Sequence, residues 1–224
     1  MGAAANTDGP AARQRLRRAV ARLLPMSMAA LAIGLAACGG GGPNALELEA
    51  RGAGCPGDYP AMADSPYVLP WSVGQTVTTG LTNCSSSFHA AGQPDQYAFD
   101  FRLGDGAPFT AARAGTVSDV VDTEPSTGGG SGNRVVVDHG DGSQALYMHS
   151  PQGGIVVRAG QAVAVGQVLG SVGRSGLAGY PHLHFIVVRG SAAYPYLGLP
   201  VSFRNASPAD AKLIGERAYT ALPY

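Results

Sequence analysis

Charged side chains are scarce in this chain. They make up 13% of its 224 residues, and the 15 basic and 15 acidic residues cancel. Lys212 is the single lysine, and no basic cluster stands out beyond the N-terminal segment. Proteins that bind nucleic acids need concentrated positive charge to neutralise phosphates. The composition therefore argues against a nucleic-acid partner.

Long apolar runs are also lacking. The most apolar stretch, residues 23–37, is too short to cross a bilayer comfortably. Five arginines precede it: Arg13, Arg15, Arg17, Arg18 and Arg22. A basic region followed by an apolar run is typical of an export signal. The run ends in Leu35-Ala36-Ala37-Cys38, which resembles the lipobox of bacterial lipoproteins. That resemblance implies a lipid anchor on Cys38, and an ordinary signal peptide cleaved nearby is the alternative.

The residues after Cys38 are rich in glycine and predict a flexible tether. Because Gly39 rather than aspartate follows the cysteine, the lipoprotein resemblance implies a cell-envelope protein that faces the periplasm, at the outer membrane if the host is Gram-negative. We divide the chain into a signal peptide (1–37), a lipidated cysteine with tether and N-terminal extension (38–66), a main domain (67–190) and a C-terminal extension (191–224). Without residues 1–37, ten basic residues face fourteen acidic ones.

Cysteine is the third scarcity, with Cys38, Cys55 and Cys84 the three present. They lack the close Cys-x-x-Cys spacing that is usual in cysteine-based zinc sites. If Cys38 carries lipid, two cysteines remain in an oxidising compartment, and we expect Cys55 and Cys84 to form a disulfide.

From residue 97 onward, short runs of β-branched residues alternate with glycine-rich turns, which is typical of an all-β domain. The expected strands cover residues 97–101, 115–121, 134–137, 144–149, 154–158, 168–172 and 182–188. A further strand over 197–203 and a short helix from Pro208 to about Glu216 are expected in the C-terminal tail. The glycine-rich loop 123–132 either lines a cleft or is a surface loop without function.

Residues 155–170 resemble the hammerhead hairpin that is shared by lipoyl and biotinyl carrier domains and by lysostaphin-type peptidases. Gly160 and Gly166 would allow its tight turns, and Val163 and Val168 would fill the core. A carrier domain needs a modifiable lysine at the hairpin tip, and this hairpin has none. The carrier function is therefore excluded.

The histidines are the residues that point to a chemical function. His182 and His184 are two residues apart in a predicted strand, so their imidazoles should lie on one face while Leu183 and Phe185 face the core. A metal ligand beside a catalytic base would have this arrangement. Alone, the pair could also be two surface histidines.

The pair is not alone, because three other motifs precede it in the chain. The four in order are Phe88-His89, Tyr97-Ala98-Phe99-Asp100-Phe101, Tyr147-Met148-His149 and His182-Leu183-His184-Phe185. Together they resemble the lysostaphin/LytM-type zinc endopeptidases, the peptidoglycan hydrolases with a duplicated hybrid motif. The resemblance covers roughly residues 69–189 and implies a β-sandwich of the barrel-sandwich kind.

The resemblance implies that His89, Asp100 and His184 bind one Zn²⁺ per chain. Two imidazoles and one carboxylate leave an open coordination position, as in catalytic zinc sites. His149 and His182 would flank the metal as the catalytic pair, without being ligands. Asp95 competes with Asp100, but a carboxylate in the middle of an apolar strand has the greater need for a cation.

Other residues near these motifs receive smaller roles. His139 is assigned to structure, at a turn between two strands. Tyr147 should share the strand face of His149 and could hydrogen-bond substrate. Ile186 and Ser150 depart from the residues common in relatives, which bears on local packing and substrate fit rather than on metal binding.

The function that the resemblance implies is hydrolysis of peptide bonds in peptidoglycan cross-links, with peptide stems as substrate. One alternative is a catalytically silent regulator that activates a cell-wall amidase. Degenerate relatives of that kind have lost zinc-site residues, whereas all five positions are filled here. A broader Gly-directed protease is the other alternative.

Overall fold

The fold of residues 54–224, the part of the chain that the structure describes, is built from short strands in a computed structural model. The strands are β1 (Thr76–Thr78), β2 (Phe99–Phe101), β3 (Pro108–Thr110), β4 (Gly115–Val121), β5 (Thr127–Gly128), β6 (Asn133–Asp138), β7 (Ser143–Ser150), β8 (Ala162–Val163), β9 (Val168–Ser171), β10 (Arg174–Ser175), β11 (Leu183–Arg189), β12 (Leu197–Gly198), β13 (Ala206–Ser207) and β14 (Ala218–Ala221). Three 3₁₀ turns cover Met62–Asp64, Ser87–His89 and Pro94–Tyr97. The predicted signal peptide, Cys38 and the glycine tether lie outside the described residues.

The expected all-β class is confirmed, since residues 54–224 contain no α-helix. No helix in this range is long and apolar enough to span a membrane. The expected strand over 115–121 coincides with β4. The strand expected over 154–158 is reduced to one bridge between Ile155 and Gly170, and the one over 197–203 to β12.

The short helix expected from Pro208 to Glu216 is wrong. Tertiary contacts use the backbone groups that a helix would pair internally: the Ile214 amide donates to the Tyr219 hydroxyl, and the Ile214 carbonyl accepts from Thr79 Oγ1. Leu213 is buried in the core. The segment therefore consists of bends and one turn, and it leads into β14, which pairs with β1.

The central sheet has the strand order β12-β11-β7-β6-β4-β8, and its neighbouring strands are antiparallel. The first half of β11 also pairs with β2, on the same edge as β12. The two faces differ in what they bury, because side chains alternate along each strand. The faces therefore have separate roles in the molecule.

One face of the sheet carries the main hydrophobic core. Seven of its fully buried aromatic rings lie at centroid distances of 5.0 to 6.3 Å from their neighbours: Trp71, Phe99, Phe101, Phe109, Tyr147, Phe185 and Phe203. Burying each large apolar side chain stabilises the fold by about 1.5 to 3 kcal/mol. The sheet is thereby fixed as a rigid platform.

The other face carries a smaller apolar cluster: Ala98, Val136, Leu146, Ile186 and Val188. At one end of this face the apolar residues give way to histidine and aspartate. His184 precedes Ile186, and Asp100 follows Ala98, in each case by the two-residue period of a strand. This end of the sheet is where the polar residues meet.

The hairpin of residues 155–170 has its tight turns where they were expected, with φ of +81° at Gly160 and +76° at Gly166. Val163 is buried, as predicted. Val168 is instead 43% exposed and its neighbour Leu169 is buried, because the pairing of β9 with β3 shifts register between Phe109 and Thr110. The core assignment of Val168 is therefore wrong.

Cys55 and Cys84 form the expected disulfide. Cys84 lies at the start of the loop that leads to the turn Ser87–His89, and its amide donates to the Gln96 carbonyl at 2.8 Å. The disulfide thus ties the N-terminal extension to a loop that carries a histidine.

Candidate metal centre

Asp100 and His184 are direct partners in the antiparallel pairing of β2 with β11. His184 Nδ1 lies 3.0 Å from Asp100 Oδ1, and both residues are buried. Leu183 and Phe185 point into the main core, as the period-two pattern predicts. Sheet register therefore creates this contact between residues that are distant in the sequence.

His89 reaches the same carboxylate from the 3₁₀ turn Ser87–His89. Its Nε2 is 3.3 Å from Asp100 Oδ1, and its side chain is almost completely buried. Cys84 and Ser87, in the loop before it, have positive φ of 49° and 58°, which non-glycine residues rarely adopt. The loop thus follows a costly path that turns His89 inward.

His149 enters the site through a β-bulge. Asn133 pairs with Ser150 and Arg134 pairs with Met148, so His149 is the extra residue on β7. Its φ is +77°, a left-handed conformation. Bulges re-aim side chains in this way, and His149 lines the same cavity as Met148 instead of following the inward direction of Tyr147.

His182 lies just before β11. Its Nδ1–H donates to the Tyr180 carbonyl at 2.8 Å, which leaves Nε2 at 3.5 Å from Asp100 Oδ1. The ring centroids of His182 and His149 are 4.8 Å apart. His149 Nδ1–H likewise donates to a carbonyl, that of Ser175, at 2.8 Å. Both imidazoles are therefore held by the backbone through Nδ1.

The pKa values of three of the site histidines are shifted, and not all in the same direction. Burial, followed by repulsion from His184 and His182, lowers the pKa of His149 to about 3. Burial also lowers the pKa of His182. Burial alone would lower the pKa of His184, but hydrogen bonds to Asp100 and Asp95 outweigh it and raise this pKa to about 9. Neutral, proton-accepting imidazoles thus stand beside one that carries charge.

The donor atoms fit a metal ion. Burial would raise the pKa of Asp100, yet hydrogen bonds from His184 and His89 hold it well below its usual range, so the buried carboxylate stays charged. Its ion pairs are all with histidines, namely His89, His182 and His184. Tetrahedral ligands of zinc lie about 3.3 to 3.5 Å from one another. The contacts of 3.0 and 3.3 Å around Asp100 Oδ1 approach that spacing.

Two overlapping sets of side chains have their donor atoms within 4.8 Å of one another. One is His89, Asp100 and His184, the ligand set predicted from sequence. The other is His149, His182 and His184. Only the first includes the buried carboxylate that needs a cation, so we favour it, and the ligand assignment stays a prediction.

Asp95, the rejected competitor, lies on the far side of His184. Its Oδ1 is 3.3 Å from Nε2, the nitrogen that faces away from Asp100. The hydroxyl of Tyr196 donates to the same Asp95 oxygen. Sequence reasoning missed Tyr196, because nothing in the loop after β11 marks this residue as a neighbour of the turn Pro94–Tyr97.

Tyr147 does not reach the site, which corrects its expected role in substrate binding. It is fully buried, and its hydroxyl accepts a hydrogen bond from the Ala112 amide at 2.8 Å. The bulge at His149 separates the directions of the two side chains. His139 is remote from the donor set and binds the Ala114 carbonyl through Nδ1 at 3.0 Å, consistent with a structural role.

An open cavity lies over the donor set. Its rim is apolar and exposed, with Phe88 63%, Leu177 72% and Tyr194 67% accessible. Gly130 and Ser131 also line it, so the glycine-rich loop 123–132 does border a cleft. A polar, histidine-rich floor under an apolar rim suits a peptide substrate.

Residues 95–195 match Peptidase family M23. His89 lies just before the matched range. The chain is 33% identical over 115 residues to an uncharacterized metalloprotease of Haemophilus influenzae, and this match covers 50% of this chain and 23% of that protein. It is 41% identical over 61 residues to the peptidoglycan DD-endopeptidase ShyA of Vibrio cholerae, and this match covers 27% of this chain and 14% of ShyA. The chain thus spans less than a quarter of either relative's length.

Among solved structures, lysostaphin from Staphylococcus simulans is similar with a TM-score of 0.46 and 24% identity. The similarity covers 61% of this chain and 52% of that one.

Proposed function

Because residues 95–195 match Peptidase family M23, we propose that the protein is a zinc-dependent endopeptidase that hydrolyses peptide bonds in peptidoglycan cross-links. The observation that carries the proposal is the buried meeting of His89 Nε2, Asp100 Oδ1 and His184 Nδ1 beneath an open cavity. The name of the Vibrio cholerae relative, a peptidoglycan endopeptidase, supports the substrate class.

The three donors would hold the ion. Bound zinc would supply Lewis-acid polarisation of the scissile carbonyl and activation of water. Asp100 contributes the charge that offsets part of the cation's, and its position opposite His184 in the sheet keeps two donors in a fixed relation. Such preorganisation lowers the cost of ordering the site during the reaction.

His149 and His182 would move the proton. Each has Nδ1–H fixed by a backbone carbonyl, so Nε2 carries the lone pair. The lowered pKa of each imidazole keeps this nitrogen unprotonated at neutral pH. One Nε2 can accept a proton from attacking water and return it to the leaving amine. The other imidazole can stabilise charge on the scissile oxygen once its Nε2 is protonated.

The envelope location is a second part of the proposal. It is supported by the predicted export signal and by Leu35-Ala36-Ala37-Cys38, which would supply the lipid anchor. A Cys38→Ser variant should move the protein from the membrane fraction to the soluble fraction. The lipid anchor would be contradicted if the Cys38→Ser variant stayed in the membrane fraction and Cys38 of the wild-type protein carried no lipid.

Digestion of isolated sacculi tests the activity. The purified protein should convert cross-linked muropeptides into monomers, as followed by liquid chromatography and mass spectrometry. A chelator should stop the conversion, and added zinc should restore it. Intact cross-links after incubation with the zinc-loaded protein would contradict the proposal, and stimulation of a separate amidase under the same conditions would favour the silent regulator.

A further inference from the structure

Asp95 contacts the outer edge of His184. The two ring nitrogens of His184 face two different carboxylates, with Nδ1 3.0 Å from Asp100 and Nε2 3.3 Å from Asp95. The neutral imidazole that can bind a metal carries one proton. A carboxylate at Nε2 would hold that proton there, so the lone pair of Nδ1 would be available to an ion between Asp100 and His89.

Asp95 is itself held from two sides. The turn Pro94–Tyr97 fixes its backbone, with the Ala98 amide donating to the Asp95 carbonyl at 2.8 Å. The Tyr196 hydroxyl donates to its carboxylate, and the Tyr196 ring packs against the apolar cluster that includes Ala98 and Ile186. The carboxylate therefore has little freedom to leave His184.

The other histidines of the site are held differently. His149 and His182 rest on backbone carbonyls, and His89 Nδ1 is buried without a hydrogen-bond partner. Within the described residues 54–224, His184 is thus the one site histidine with a side-chain carboxylate beside each ring nitrogen. Its orientation can be changed by substitution without altering any of the three donors.

We propose that Asp95, held by Tyr196, is a positioning residue that fixes the tautomer and ring orientation of His184 for metal binding. The inference rests on the proposed zinc site and deepens it. Outer carboxylates of this kind make the imidazole a more basic ligand, and their loss typically costs about 10-fold to 100-fold in metal affinity.

Metal affinity measured on the full chain tests this role. After removal of metal by a chelator, zinc binding is measured by competition with a chromophoric chelator, and Co²⁺ binding by its visible spectrum. Asp95→Ala should weaken zinc binding by about 10-fold to 100-fold and change the Co²⁺ spectrum. The zinc affinity of Asp95→Asn should lie between those of the wild type and Asp95→Ala, because the amide oxygen still accepts a hydrogen bond from His184 Nε2–H but carries no charge.

Tyr196→Phe should weaken binding in the same direction by a smaller factor. A matched control, Asp105→Asn on an exposed loop, should bind zinc as the wild type does. Thermal unfolding of the metal-free proteins separates metal positioning from general stability. If Asp95→Ala does not fold, Asp95→Asn and Tyr196→Phe carry the test.

Wild-type zinc affinity and an unchanged Co²⁺ spectrum in Asp95→Asn and Tyr196→Phe would overturn the inference. That result is distinct from failure of the proposed function. A wild-type protein that binds zinc but leaves cross-links intact would contradict the proposed activity alone, since the positioning role is measured by metal binding.

Discussion

His184 lies directly opposite Asp100 in the pairing of β2 with β11, and His184 Nδ1 is 3.0 Å from the carboxylate. The two residues are 84 positions apart in the chain. Because the strands also bury Phe99, Phe101 and Phe185 on their other face, the packing of the main core fixes the same register that creates the site.

Asp100→Asn tests the carboxylate. The change keeps the shape of the side chain but removes the charge that offsets the cation, so zinc affinity should fall by at least about 100-fold, more than for an outer residue. Zinc content is measured by mass spectrometry after dialysis. Asp105→Asn is the control and should retain zinc. Equal zinc content in Asp100→Asn and the wild type would remove Asp100 from the ligand set.

His149→Ala and His182→Ala test the catalytic pair. Each should lower the rate of cross-link cleavage by about 10²-fold to 10⁴-fold, because the proton acceptor is lost, while the bound zinc stays at the wild-type level. His139→Asn, at a histidine remote from the site, should keep its activity. Loss of zinc in either alanine variant would show that the pair takes part in metal binding.

The left-handed backbone of His149 predicts a stability effect that is separate from catalysis. Since glycine adopts positive φ without a steric penalty, His149→Gly should be more stable than His149→Ala by about 1 kcal/mol in urea unfolding. The order should reverse at Met148, whose φ is not positive, because glycine destabilises a strand by about 0.5 to 1 kcal/mol relative to alanine. If the glycine and alanine variants had the same order of stability at both positions, the backbone of His149 would not be strained.

His139 should make stability depend on pH. Burial lowers its pKa, outweighing the hydrogen bond to the Ala114 carbonyl, and Arg113 lowers it further while Asp141 and Asp138 oppose the shift. Below about pH 6.5 the unfolded chain therefore binds a proton that the folded chain does not. The free energy of unfolding should fall as the pH drops through this range, and level off below the folded pKa.

Urea unfolding at pH 7.5 and pH 5 measures this effect. Wild type should lose more stability between the two pH values than His139→Asn, whose amide can still donate to the Ala114 carbonyl. The buried Nε2 of His139 has no partner in the described structure, which adds to the cost of protonation. An equal or larger loss in the variant would contradict the assignment.

The sequence predicted the parts of the site that depend on strand periodicity. His182 and His184 were placed on one face with Leu183 turned inward, and Asp100 was preferred to Asp95 because of its apolar strand. Side chains alternate along a strand, and a buried charge without a partner is costly. The structure brings His89 and His149 to the same place, as the motif resemblance implied.

The parts that the sequence did not predict depend on contacts between distant segments. The residues around His149 do not predict a bulge, since positive φ usually calls for glycine. Without the bulge, Tyr147 and His149 would share one face of the strand, and the role expected for Tyr147 was therefore wrong. The contact between Tyr196 and Asp95 arises only when the loop after β11 folds back over the turn Pro94–Tyr97. The tail 208–216 forms bends and one turn because Tyr219 and Thr79 take up the hydrogen bonds of Ile214.

The location of the metal tests the central claim most directly. Crystals of the zinc-loaded protein, measured on both sides of the zinc absorption edge, give an anomalous difference peak at the ion. We predict one peak per chain, within bonding distance of His89 Nε2, Asp100 Oδ1 and His184 Nδ1. A peak bonded instead to His149, His182 and His184, or no zinc peak in this cavity, would contradict the account.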